Sequence, residues 1–83
     1  MKTTTQAPAD DPLLLPAADW IAGLRAEGDP VLLYPISRLQ RRFRIGYNHT
    51  LRLMDALERR GDWIIAYHDD GTRYARLDTK GPA

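Results

Sequence analysis

Glycine and proline cut this chain into short pieces, and the cuts decide what it can fold into. Gly28-Asp29-Pro30, Pro35, Gly46, Gly61 and Asp69-Asp70-Gly71 each carry the chemistry of a turn or a helix end. No piece between them approaches the ~20 apolar residues of a membrane span. With 83 residues in all, the chain holds one small domain. It has no Cys, which excludes disulfide stapling, cysteine zinc sites and thiol catalysis. The first residues, with one Lys followed by Thr, Gln and Pro, do not read as a signal peptide.

The pieces have distinct periodicities. Residues 1–11 lack large apolar side chains after Met1 and read as a disordered tail. A first helix is expected from Pro16 to about Glu27, because Pro is tolerated in a first turn and Asp19 suits a helix N-terminus. Trp20, Ile21 and Leu24 form its apolar stripe. Val31 to Tyr34 predicts a short edge strand ended by Pro35. Ile36, Leu39, Gln40 and Phe43 share a face of a brief second helix, with Ser37 as a candidate N-cap. After Gly46, a third helix is predicted from Tyr47 to Arg60, burying Thr50, Leu53, Met54 and Leu57. Gly61 ends it.

Trp63 to His68 is rich in β-formers, and Thr72 to Leu77 alternates polar and apolar across the turn at Asp69-Asp70-Gly71. The residues beyond, 79–83, read as a frayed tail. The register of this hairpin stays open, since Tyr74 and Leu77 share a face only if the pleat is interrupted. The order of helix, strand, helix, helix and hairpin predicts an α+β fold over residues 12–78. It is a winged helix-turn-helix of three helices, a short strand and a C-terminal β-hairpin wing.

Charge is distributed unevenly. Residues 1–35 hold two basic groups against five acids; residues 36–60 hold seven Arg against Asp55 and Glu58. Concentrated Arg, with its planar fork, suits phosphates and guanine edges. A solvated helical face is the bland alternative.

The stretch Ile36 to Asn48, and above all LQRRFRIGYN at residues 39–48, closely resembles the gamma domain of the FtsK-type bacterial DNA translocases. The likeness continues more weakly through Arg52-Leu53-Met54-Asp55 and Leu57-Glu58. That resemblance implies a winged helix that binds double-stranded DNA and recognises short, G-rich, oriented sites through its third helix and wing. Two departures stand out. His49 occupies the position where the family usually has Arg, so the family's target does not transfer. No GxxxxGK[ST] is present either, so the likeness is to the DNA-reading module without its motor.

Candidate roles follow. Asn48 and Arg52, four apart on one helical face, suit adenine and guanine edges, and His49 lies beside them. N-capping and surface charge are the plain alternatives for Asn48 and Arg52. Arg38, Arg41, Arg42 and Arg44 flank the helix-helix turn as candidate phosphate contacts, although helical spacing spreads them round the axis and some could pair with acids of the first helix. Tyr47 joins this set, with packing under the turn as its structural alternative. Arg73 and Arg76 on the wing strands suit a minor groove or its phosphates. His68, Asp69 and Asp70 read as a polar turn rather than a metal or catalytic cluster. Trp20 and Trp63 are expected in the core. The apolar excess of Leu13, Leu14, Leu15, Trp20, Ile21 and Leu24 suggests a homodimer or a DNA-assembled oligomer.

The resulting expectation is a sequence-specific double-stranded DNA-binding protein, a small transcriptional regulator of a bacterial chromosome or mobile element. It would need no cofactor, metal or membrane, would have no enzymatic activity and would be associated with the cytoplasmic nucleoid. The alternative is a protein-interaction adaptor on a winged-helix scaffold, since gamma domains of the resembling family also contact a recombinase.

Overall fold

The computed structural model describes residues 11–78. Helix α1 runs Leu14–Ala26, strand β1 Val31–Leu33, helix α2 Pro35–Phe43 and helix α3 Tyr47–Arg60. Strands β2, Ile64–Tyr67, and β3, Arg73–Arg76, close the domain. The three strands form an antiparallel sheet in the order β1-β3-β2. This is the expected α+β winged helix. The expected tails, 1–11 and 79–83, lie outside the described residues except for Asp11.

Helix α1 begins two residues before the expected Pro16. The Asp11 carboxylate accepts from the Leu13 N–H at 2.9 Å, and the Asp11 carbonyl accepts from the Leu14 N–H at 3.0 Å. These bonds close a turn ahead of the helix, and Pro16 still falls in the first turn, where its missing donor costs nothing. Asp19 consequently lies one turn further in, so it does not serve the helix N-terminus.

Two left-handed residues set the path between elements. Tyr34, expected to end the strand, instead has φ 55° and turns the chain into α2, with Pro35 at the first helical position. Ser37 is therefore inside α2 and caps nothing. Arg44 repeats the left-handed conformation, φ 55° and ψ 51°, where α2 ends. Both are non-glycine residues in a region that sterics disfavour. Gly61 ends α3 at φ 90°, a conformation open to Gly at no steric cost.

The core lies between the three helices and one face of the sheet. Ile21, Leu39, Leu53, Leu57, Trp63, Ala75 and Leu77 are fully buried. Thr50 is buried as well, and its hydroxyl donates to the Gly46 carbonyl one turn back at 2.8 Å. Trp63 satisfies its indole N–H on the Met54 carbonyl at 3.2 Å, so this large ring is buried without an orphaned donor. Trp20 is half-buried, edge-on to Phe43 at 6.1 Å, and joins α1 to α2. The Arg25 guanidinium donates to the carbonyls of Leu77 and Asp62, tying α1 to both ends of the hairpin.

The apolar surplus of α1 is mostly absorbed by this core. Leu14 and Ile21 are buried, and Leu13, Trp20 and Leu24 pack half-buried against it. Only Leu15 remains largely exposed, at 66%. Helix α1 therefore leaves less apolar surface than its sequence suggests.

The hairpin register is now fixed. Ile64 pairs with Arg76, Ala66 with Tyr74 and Tyr67 with Arg73. Ala75 and Leu77 face the core, while Tyr74 points to the other face, where it stacks on His68 at 4.3 Å. The pleat is uninterrupted, and Tyr74 and Leu77 do not share a face. The Gly71 N–H donates to the His68 carbonyl and the His68 N–H to the Thr72 carbonyl, with Gly71 at φ 90°. That is a three-residue loop with Gly in its left-handed position.

Candidate nucleic-acid interface

Helix α3 buries Thr50, Leu53, Met54, Ala56 and Leu57, so its remaining face is turned to solvent. Asn48, Arg52, Asp55 and Arg59 lie along that face at helical spacing, and all four are exposed. Asn48 is the second residue of the helix and caps nothing, because the N-cap position belongs to Gly46. Its amide is thus open to an external partner. Arg52 has no ion pair among the described residues, whereas Arg59 binds the Asp55 carboxylate at 3.0 Å one turn away.

His49 stands apart from the other two candidate base readers. Its Nε2 lies 2.8 Å from the Asp11 carboxylate, and its side chain is 32% exposed. The ring is tied to the segment that leads into α1, so it is not free alongside Asn48 and Arg52. Sequence reasoning missed Asp11. An Asp just ahead of an apolar helix is a recognisable capping signal, but nothing local links it to a His 38 positions on.

The arginines divide by partner. Arg59, Arg60 and Arg76 pair with Asp55, Asp62 and Asp78. Among the described residues, Arg38, Arg41, Arg42, Arg44 and Arg52 have no ion pair. Arg41, Arg42 and Arg44 are exposed, and Arg38 is half-buried. Arg42 is turned toward α1: it sits over the Phe43 ring at 5.9 Å and lines a groove with Asp19, Trp20 and Glu27. Arg44 projects from the turn between α2 and α3, close in sequence to Tyr47. Tyr47 is 53% exposed, so it does not pack beneath the turn.

The two wing arginines occupy opposite faces of the sheet. Arg73 lies over the Tyr67 ring at 5.7 Å, and its buried Nε has no hydrogen-bond partner among the described residues. Arg76 is at the base of the hairpin, opposite both Val31 and Ile64. At the tip, the Thr72 N–H and hydroxyl both donate to Asp70, at 2.9 and 2.7 Å. The backbone bond is the larger cause, the hydroxyl the next, and together they hold the Asp70 carboxyl below the usual carboxylate range. Among the described residues no group of three His, Asp or Glu side chains is placed to hold a metal ion. No helix among them is long and apolar enough to cross a membrane.

A third helix with one exposed face, an arginine cluster at the preceding turn with no ion pair among the described residues, and a hairpin wing define a winged-helix module. Residues 34–73 match the family model of the Ftsk gamma domain, and the chain is similar to that family over this stretch. A curated relative, the DNA translocase SpoIIIE of Bacillus subtilis (strain 168), is 41% identical over 59 residues. The alignment covers 71% of this chain and 7% of the relative, so the chain spans only a small part of that protein's length. No solved structure matches the chain significantly.

Proposed function

We propose that this domain binds double-stranded DNA in a sequence-dependent way and acts as a small transcriptional regulator. The family match supports DNA binding. The observation that carries the sequence-dependent reading is the exposed row Asn48, Arg52, Asp55 and Arg59 on α3, beside arginines with no counter-ion among the described residues.

The roles follow from donor and acceptor chemistry. With α3 in a major groove, Asn48 pairs with an adenine edge and Arg52 with the O6 and N7 of a guanine. Asp55 accepts from a cytosine amino group, held in place by Arg59. Arg38, Arg41, Arg44 and Tyr47 contact phosphates and fix the register of the helix. Arg42, on the α1 side, contributes field rather than contact. Arg73, the wing cation nearer the tip, reaches the flanking backbone. His49 does not read a base while Asp11 holds it.

Selection of bound sites from a random duplex library tests the proposal. A short enriched motif containing an A and a G at neighbouring positions is expected. Recovery of sequences without enrichment removes base readout, and absence of binding at low salt leaves a protein-interaction role for the same scaffold.

A further inference from the structure

The two edges of the sheet are treated differently. On β2, the outward Ile65 N–H donates to the Glu58 carboxylate at 3.2 Å, so α3 blocks part of that edge. On β1, no such cover exists among the described residues. The Leu77 N–H donates to the Pro30 carbonyl at 2.9 Å, and Val31 stands opposite Arg76. In an antiparallel ladder this makes Val31–Arg76 and Leu33–Tyr74 the non-hydrogen-bonded pairs. The N–H and C=O groups of Val31 and Leu33 therefore point outward: two donors and two acceptors on an open edge. The side chains around them are exposed and apolar, Val31 at 41%, Leu33 at 46% and Tyr34 at 63%. Open apolar edges of this kind are templates for strand addition.

We propose that β1 pairs with β1 of a second copy of this chain, antiparallel about a two-fold axis at Leu32. Each Val31 then faces the partner's Leu33, and all four outward groups on each copy are used. Other registers use fewer. Pairing Leu33 with Leu33 sets Val31 against the partner's Pro35, which has no N–H. Pairing Val31 with Val31 calls on the Asp29 N–H, already donated to the Leu24 carbonyl at 3.2 Å. The self-complementary register also carries charge complementarity. It sets Asp29 of each copy against the start of α2 in the other, a helix N-terminus with no side-chain cap, no acid in its first turn and Arg38 nearby. The edge is one strand beyond β3 and two from β2, the strand that touches α3 through Glu58, so the reading face stays free.

A three-residue strand buries much less than the ~800 Å² per partner of a standard interface, so the dimer is weak and forms at high concentration or on DNA. The proposal goes beyond the DNA-reading role, and its failure leaves single-copy DNA binding intact. The chain has no Cys, which makes cross-linking clean. Hydrogen-bonded antiparallel partners have Cα atoms about 5.5 Å apart, within disulfide reach. Residues 31 and 31 of the two copies lie beyond about 7 Å in this register, as do 33 and 33. A mixture of the full-length Val31→Cys and Leu33→Cys chains is expected to give oxidised heterodimer at least fivefold faster than either variant alone gives homodimer. Sedimentation of the wild type from about 10 μM to 1 mM should show reversible dimer, and Leu33→Lys and Leu33→Glu should each weaken it at least tenfold. A strict monomer across that range overturns the proposal. So does equal cross-linking of the mixed and single variants, or a dimer that both charged variants leave unchanged.

Discussion

The Asp11 carboxylate lies 2.8 Å from His49 Nε2 and also accepts the Leu13 N–H, so one side chain joins the start of α1 to the first turn of α3. The Asp11 side chain is only 11% exposed. His49 thereby has a structural partner, on a helix whose exposed face is proposed to read DNA. His49→Ala is expected to lower stability by about 1 kcal/mol, as for loss of one part-buried hydrogen bond. It should leave the preferred site unchanged. Asp11→Ala, which also removes the turn ahead of α1, should cost about as much or more, up to ~2 kcal/mol. Urea denaturation and a competition assay over single-base variants check both. A shift of base preference in His49→Ala would return that residue to the reading set.

Salt dependence separates the paired from the unpaired arginines. With four or five phosphate contacts, log affinity should fall against log salt with a slope of about −4. Arg41→Ala should flatten the slope by ~0.9 and weaken all sequences alike. Arg60→Ala, which removes a side chain already bound to Asp62 at 2.7 Å, should change the slope far less. Filter binding across a range of salt concentrations decides. Equal slopes for the two variants would show that the unpaired cluster is not the phosphate contact.

Asn48 should behave in the opposite way. Asn48→Ala is expected to cost roughly 1–3 kcal/mol at one base position while leaving the salt slope nearly unchanged, because Asn displaces no counter-ion. The readout is affinity over every single-base variant of the selected site. Uniform weakening would mean that Asn48 holds the helix rather than reading a base.

At the wing tip, the two bonds from Thr72 keep Asp70 ionised to lower pH than an ordinary carboxyl. Its folded-state pKa lies below the unfolded value. The associated stability is thus present above the ordinary carboxylate range and is lost as pH falls through the depressed value. Thr72→Ala should move the Asp70 midpoint back up toward the ordinary value, followed by carboxyl carbon NMR. An unmoved midpoint would assign the depression to another cause.

How much of this was legible beforehand depended on the range of each interaction. The bounds of α3 could be read from residues 47–61, because Gly46 and Gly61 punctuate it and its buried stripe is periodic. The wing turn was equally local. The starts of α1 and α2 were misjudged, since one depends on the Asp11 carboxylate and the other on Tyr34 adopting a left-handed conformation that no propensity favours. The hairpin register is set locally, by the three-residue loop that ends in Gly71, and stayed open only because the loop type was not assigned; the β1–β3 pairing, which joins residues more than forty apart, was not legible at all. Within the candidate site, Asn48 and Arg52 were visible from helical spacing. The contact of His49 with Asp11 was not, because the two lie 38 positions apart. The division of the arginines into paired and unpaired likewise required the fold.

Arg44 offers the sharpest separation of function from stability. It holds φ 55° and ψ 51° between α2 and α3, where an L side chain costs roughly 1–2 kcal/mol. Gly adopts that conformation freely but gives back part of the gain through the greater freedom of the unfolded chain. Arg44→Gly should therefore stabilise the domain by about 0.5–1 kcal/mol. The same change removes an exposed cation with no ion pair among the described residues, so DNA affinity should fall and the salt slope should flatten by ~0.9. Arg44→Lys keeps both the charge and the strain, and should retain the slope without the gain in stability. Thermal melts and salt-dependent binding of the three proteins provide the measurement. If Arg44→Gly binds as tightly as wild type, Arg44 touches no phosphate; if it is less stable, the left-handed turn is held by contacts of the Arg side chain that outweigh its strain.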